Sequence, residues 1–230
     1  MPDETLSASV PCCQRPGRAQ TMGEEIANAV THGIGAFLAL VCFVVAVAFA
    51  SIRGDAWRIV SASIYGLMMF LLYLSSTLYH AAVFPRGKAI LNIIDHSTIY
   101  LMIAGCYTPF CLVPLRHFSP AWGWGILGSI WLLAILGVIF QCCFINRFAV
   151  LSTCTYVLMG WLVVIAVYPL WRAMGTAAVL WIAAGGVCYT LGVVFYAWKS
   201  IKYAHAIWHL FVLGGTMMHF FAILFYVMMP

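Results

Sequence analysis

Charge is what this chain has least of. Only 7% of its 230 residues are Asp, Glu, Lys or Arg, against 65% hydrophobic ones; a soluble domain carries about 25% charged residues. With a mean hydropathy of +1.02, there is too little polar surface to face water at this size, which excludes a soluble domain and a disordered chain. Acidic residues are scarcest, 6 against 11 Lys and Arg. The net charge of +5 comes from that small excess, so it suits loops beside anionic headgroups and not a nucleic-acid groove. No Cys-x-x-Cys pair occurs, which removes a zinc ribbon. Of the nine cysteines, Cys42, Cys106, Cys111, Cys154 and Cys188 fall inside apolar runs, where Cys behaves as a small hydrophobe; Cys142 and Cys143 close one run and Cys12 and Cys13 lie in a polar tail. That placement argues against a disulfide framework. The first 20 residues lack the apolar core of a secretory signal peptide, so insertion is expected to use the first membrane-spanning helix.

What is abundant is continuous apolar sequence. A helix crossing the hydrocarbon core needs about 20 mostly apolar residues. Seven runs qualify, at about 33–52, 59–80, 93–113, 121–143, 149–170, 175–198 and 207–228. Short charged gaps separate them, carrying Arg53, Asp55 and Arg58, then Arg86 and Lys88, Arg116, Arg147, Arg172, and Lys199 with Lys202. The runs lack the alternation of a membrane barrel. The expected fold is all-α, a seven-transmembrane helix bundle over residues 21–230, preceded by a polar, disordered tail over 1–20. Trp57, Trp122, Trp124, Trp171 and Trp198 sit near predicted helix ends, as an interfacial aromatic belt requires. Small residues such as Gly123, Gly125, Gly128, Gly185, Gly186 and Gly192 permit close helix packing.

An odd helix number puts the termini on opposite sides. The N-terminal side then holds Arg15, Arg18, Arg86, Lys88, Arg147, Lys199 and Lys202, 7 cations, and the other side Arg53, Arg58, Arg116 and Arg172, 4 cations. The excess of basic residues marks the cytoplasmic side, so the N-terminus is expected in the cytoplasm and the C-terminus outside.

The polar residues within the runs are not scattered. Glu25, Asn28 and His32 lead into helix 1, Ser76 and His80 close helix 2, Asp95, His96 and Ser97 open helix 3, and His205 and His209 open helix 7. Odd helices begin where even helices end, so all four clusters lie at one membrane face. Intramembrane polar groups are costly and point to function. Ser76 and His80 are four apart and share a helix face, as do His205 and His209. Histidines at i and i+4 can bind one metal from a single helix, and His80 can supply a third nitrogen from a neighbouring one. Three imidazoles on zinc leave a fourth position open, as in catalytic sites. Interhelical hydrogen bonding is the competing reading for each of these histidines. Asp95, the only carboxylate within the seven runs, can orient a ligand imidazole, hold a metal-bound water or act as general base; Ser76 can bond that water or Asp95. His32 and His96 read either as ligands or as packing residues. Glu25 and Asn28 read as caps of helix 1, and His117 as a loop residue at the surface. His219 lies 14 positions past His205, roughly 21 Å deeper at 1.5 Å per residue, and reads as a helix–helix hydrogen-bond partner.

At these residues the sequence resembles the hemolysin III family. The resemblance is carried by Glu24-Glu25-Ile26-Ala27-Asn28 with Thr31-His32-Gly33, and by Ser75-Ser76-Thr77-Leu78-Tyr79-His80. Asp95-His96-Ser97-Thr98-Ile99-Tyr100-Leu101 follows, continuing to Gly105-Cys106-Tyr107-Thr108-Pro109-Phe110. The closing block is His205-Ala206-Ile207-Trp208-His209-Leu210-Phe211-Val212-Leu213-Gly214-Gly215, with His219-Phe220 beyond it. It spans about residues 22–228. That family is grouped with the progestin and adipoQ receptors, which include the adiponectin receptors. The resemblance implies a seven-helix bundle with a cytoplasmic N-terminus, a zinc ion held by His80, His205 and His209, and Asp95 near the metal water with Ser76 beside it. It also implies a link to ceramide hydrolysis, through the adiponectin receptors and the alkaline ceramidases. The chain lacks the long N-terminal domain of the eukaryotic receptors, so hormone binding does not carry over.

Three functions are thereby in competition. The first is a zinc-dependent hydrolase of a lipid amide or ester, with Asp95 and Ser76 catalytic, Zn2+ as cofactor and a lipid of the cell membrane as substrate; no nucleic acid is involved. The second is a receptor-like or homeostatic membrane protein with structural zinc. The third is cytolysis by a pore-forming hemolysin, disfavoured because pore formers are secreted soluble and insert later. The charge count makes one prediction directly. Reporters fused after residue 20 and after residue 230 should report the cytoplasm and the outside respectively; a cytoplasmic C-terminus would sink the one-face argument along with the orientation.

Overall fold

The computed structural model describes residues 20–145 and 147–230; most of the 1–20 segment expected to be a tail lies outside them. Seven helices are long and apolar enough to cross a membrane: α1 (Met22–Ile52), α2 (Ala56–Ala81), α3 (Pro85–Phe118), α4 (Pro120–Phe144), α5 (Ala149–Met174), α6 (Thr176–Ala197) and α7 (Ala204–Met228). Among the described residues there are no strands. The bundle is the expected one, because a bilayer leaves the backbone no partners but its own helix.

The helices outrun the apolar runs at three ends that matter. α1 begins at Met22, not near residue 33, because Thr21 caps it: the Thr21 side chain accepts from the Glu24 N–H and Glu24 reaches back to the Thr21 N–H at 2.9 Å. Glu25, Asn28 and His32 are therefore helical residues of α1 and do not merely lead into it. α3 begins at Pro85, a first-turn proline that gives up no helical hydrogen bond. α7 begins at Ala204, after Tyr203 turns the chain in the left-handed region with φ 59°, so His205 and His209 fall in its first turns.

α3 is the hub. In its most apolar window 78% of residues are buried, against 17% for α5, so α3 is the inner helix and α5 faces lipid. Pro109 and Pro114 interrupt its ladder, and the Cys111–Leu115 turn widens to a π-helical one. α1 buries a stripe of small and polar residues, Glu24, Asn28, His32, Gly35, Ala39, Cys42, Ala46 and Ala50, at helical spacing. Gly35 is required there by close approach, since a Cβ at that position would meet the Tyr73 ring at 2.6 Å. Trp57, Trp122, Trp124, Trp171 and Trp198 are all exposed, at or near helix ends as a headgroup belt demands. Arg116 lies 4.5 Å over the Trp57 ring, a cation–π contact that ties α3 to α2 at the end opposite the histidines.

Candidate metal centre

His80 closes α2, and His205 and His209 open α7 on one face. α1 and α3 run beside them, so the four polar clusters meet at one end of the bundle. One ligand-type atom from each of His80, His205 and His209 lies within 4.8 Å of the others. Their ring centroids are 5.0 Å (His80–His205), 5.3 Å (His80–His209) and 4.6 Å (His205–His209) apart. These three histidines are positioned to bind a metal ion.

The hydrogen bonds around the rings say which nitrogens do so. His80 Nδ1 lies 2.7 Å from Glu25 Oε2, and the other oxygen of Glu25 accepts from Lys88 Nζ at 2.8 Å. The Asn28 amide nitrogen is also near His80 Nδ1, at 3.4 Å; the shorter, charged contact decides. A carboxylate only accepts, so His80 carries its proton on Nδ1 and leaves Nε2 a lone pair. His209 Nδ1 stands 3.2 Å from Thr31 Oγ1. The Nε2 atoms of His80, His205 and His209 are buried and have no hydrogen-bond partner among the described residues. Leaving one such acceptor unpaired costs about 1–3 kcal/mol, and here three stand together. A borderline-soft divalent cation satisfies all three at once, so the donor set fits a metal.

The other polar residues divide around this cluster. Ser76 sits one turn before His80 and is a hydrogen-bond partner of the Asp95 side chain; both are buried, at 1% and 8% exposure. Asp95 is not a member of the cluster of mutually close donors, yet it lines the same cavity as His205. His96 turns away: its Nδ1 lies 2.9 Å from the Asn92 carbonyl, and 3.9 Å from the Asp95 carboxylate. His32 also lies outside the cluster but stacks on His209, with ring centroids 3.4 Å apart and 13° between planes. His117 is exposed, and His219 bonds the Ile182 carbonyl of α6 at 3.0 Å, the interhelical role expected of it. Sequence reasoning missed what Glu25 and Thr31 do. Glu25 and Asn28 do not cap α1; Thr21 does. The available signal was spacing: residues 25, 28 and 32 stand at i, i+3 and i+7, one stripe facing the other clusters.

A cavity of about 170 Å³ opens from Asp95, His96 and His205 and runs along α3 to Cys106, Tyr107 and His219. A second, of about 200 Å³, continues from those last three to Phe110, Leu115 and Ile126. The walls beyond the histidine cluster are almost wholly apolar, and the two cavities adjoin in a slot-like space between α3, α5, α6 and α7, sharing Cys106, Tyr107 and His219 as lining.

The family model described as "Haemolysin-III related" matches residues 20–220. The chain is 50% identical over 206 residues to the "Hemolysin-3 homolog" of Bacillus subtilis (strain 168), covering 90% of this chain and 95% of that one. It is 47% identical over 209 residues to the "Hemolysin-3" of Bacillus cereus, covering 91% and 94%. Similarity extends to the human "Monocyte to macrophage differentiation factor", 31% over 209 residues, covering 88% and 84%.

Elemental analysis of the purified protein should find one divalent metal per chain. His80→Ala, His205→Ala and His209→Ala should each abolish it, whereas His117→Ala should keep it. Glu25→Gln should retain the site but weaken it about 10- to 100-fold, the usual cost of losing the partner that orients a ligating imidazole. Full occupancy in His205→Ala would overturn the ligand set.

Proposed function

The chain belongs to the haemolysin-III related family, and we propose that it is a zinc-dependent hydrolase of a lipid amide or ester, working from the cytoplasmic leaflet of the cell membrane. The observation that carries this is a cluster of three buried imidazole nitrogens without a hydrogen-bond partner among the described residues, together with a buried carboxylate, Asp95, that shares with His205 the lining of a largely apolar cavity. Three neutral imidazoles are the donor set of catalytic zinc, which keeps a fourth position open and supplies Lewis acidity to a carbonyl and to water.

The chain's own residues do the rest. Glu25 and Thr31 fix the His80 and His209 rings through Nδ1, so that Nε2 of each faces the centre. Lys88 neutralises the charge of Glu25 and holds it in place. Asp95 accepts the proton released when water attacks the carbonyl and passes it to the departing amine or alkoxide, the part of a general base that becomes a general acid. The Ser76 hydroxyl holds the Asp95 carboxylate toward the centre. The slot beyond takes an acyl chain and excludes bulk water, which strengthens every electrostatic contact at the reacting carbonyl. Substrate apolarity therefore supplies binding energy away from the bond being broken.

Asp95→Asn separates this reading from its rivals. The amide can still hydrogen-bond but cannot take a proton. Zinc content should stay near wild type, and turnover of a labelled panel of N-acyl sphingoid amides and acyl esters should fall by on the order of a hundredfold or more. Zinc lost as fully as in His80→Ala would make Asp95 a ligand. Zinc and turnover both retained would defeat the general-base role, and no turnover by wild type across the panel would favour a receptor-like protein with structural zinc.

A further inference from the structure

Where the two cavities meet, a second reactive pair lies inside the bundle. Cys106 Sγ of α3 is 3.2 Å from His219 Nδ1 of α7, and the other nitrogen of that ring, Nε2, is 3.0 Å from the Ile182 carbonyl of α6. A carbonyl can only accept, so Nε2 carries the ring proton and Nδ1 presents its lone pair to the thiol S–H. Space for the ring is cut into α6 by Gly185, where a Cβ would lie 2.3 Å from His219 Cδ2. The Tyr189 ring meets it at 5.4 Å, and Tyr189 is itself anchored to Thr216 at 2.8 Å. Both Cys106 and His219 line both cavities. A thiol, a base and a group that orients the base are the components of an activated nucleophile.

Depth separates this pair from the metal centre. Cys106 follows Asp95 by 11 residues on one helix, roughly 16 Å at 1.5 Å per residue, so the two do not act on one carbonyl. The walls also narrow the chemistry. The Tyr107 hydroxyl is engaged with the Met159 and Gly160 carbonyls at 2.9 and 2.8 Å, and the Trp161 indole N–H with Thr190 at 3.0 Å. These lining donors are already spent, so they do not hold the oxyanion that acyl transfer builds. Conjugate addition lessens that demand, because the enolate shares its charge between oxygen and the α-carbon and is discharged when the imidazole returns the proton to that carbon.

We propose that Cys106 and His219 form a covalent capture site for apolar, chain-like α,β-unsaturated aldehydes and ketones that partition into the bilayer. His219 Nδ1 takes the thiol proton as Sγ bonds the β-carbon; the C=C π electrons shift toward the carbonyl oxygen as an enolate, and the C=O re-forms as the α-carbon takes that same proton back from Nδ1. One S–C and one C–H bond form, one S–H and one C=C π bond are lost, and no oxidant or reductant is needed. The apolar slot selects the tail, and the soft sulfur selects the soft β-carbon. The site is independent of the hydrolase reading, because its product is a thioether on the chain itself.

The test uses the full-length protein in bilayer nanodiscs, treated with trans-2-nonenal and digested, with each cysteine's adduct followed by mass. Cys188 is the internal reference; it is half-buried, whereas Cys106 is only 8% exposed. Cys106 should nonetheless react about tenfold faster or more, and His219→Gln should slow it by on the order of a hundredfold while leaving Cys188 unchanged. Gly185→Ala, which displaces the ring, should act in the same direction. Cys106 reacting no faster than Cys188 in wild type overturns the proposal without any variant. An unchanged Cys106 rate in His219→Gln removes the imidazole from it.

Discussion

Three imidazole nitrogens that face one another inside a membrane bundle, with no donor among the described residues to satisfy them, are the constraint around which this structure is arranged. A bilayer offers no water to pair them, so their cost has to be met from within the chain. Each device at that end of the bundle serves this need. Capped by Thr21, α1 starts eleven residues before its apolar run and so carries Glu25 to His80 from its first turns. α3 starts early for a related reason, since its first turns carry Lys88 to the other oxygen of Glu25. Four helices thus converge on charge and lone pairs, while their opposite ends close on tryptophan and arginine.

How much of this was legible in the sequence follows from what each signal measures. Apolar runs measure hydrocarbon thickness, so seven spans could be counted and His80, His205 and His209 placed at one face. Spacing at i and i+4 then brought two histidines to one side of α7. Those inferences needed only helix geometry. The start of α1 was written locally, in the Thr21-x-x-Glu24 capping box, but that of α7 depends on a tertiary partner: Glu24 accepts from the Tyr203 N–H across the bundle at 3.0 Å, a contact linking residues 179 positions apart. The role of Glu25 was hidden for the same reason. An acidic residue near a helix start looks like a cap, and only the presence of His80 opposite shows otherwise. His32 was ambiguous in sequence; it stacks on His209 outside the cluster of mutually close donors, with both ring nitrogens buried and without a partner among the described residues.

The slot has a structural cause as well. α3 carries two prolines and a π-helical turn near its far end, and α5 drops into a 3₁₀ segment at Leu162–Ala166 beside it. Both irregularities loosen the i→i−4 ladder at the level where the second cavity lies. The Tyr107 hydroxyl makes up part of the loss: it lies within bonding distance of the Met159 and Gly160 backbone carbonyls and accepts from the Val163 N–H at 2.7 Å, where regular pairing is interrupted. Apolar space inside a small bundle is thus kept open by backbone defects whose polar groups are satisfied locally, which is the condition on which a membrane tolerates them.

The histidines share one physical rule. An imidazole has two nitrogens, and whichever is pinned by a partner decides what the other can do. Glu25 pins Nδ1 of His80 and Thr31 engages Nδ1 of His209, so Nε2 of both faces the cluster as a lone pair. Ile182 pins Nε2 of His219, so Nδ1 faces the Cys106 thiol. The same side chain is therefore disposed to bind a metal at one depth and to face a thiol at another, and the difference lies in neither burial nor helix, since all three are largely buried and two share α7. It lies in which nitrogen meets an acceptor. A carboxylate or hydroxyl on the side of Nδ1 leaves Nε2 free toward the cluster, whereas a backbone carbonyl on the side of Nε2 leaves Nδ1 toward the thiol beside it. That is why the partners of these rings, and not the rings alone, carry the chemistry of the bundle.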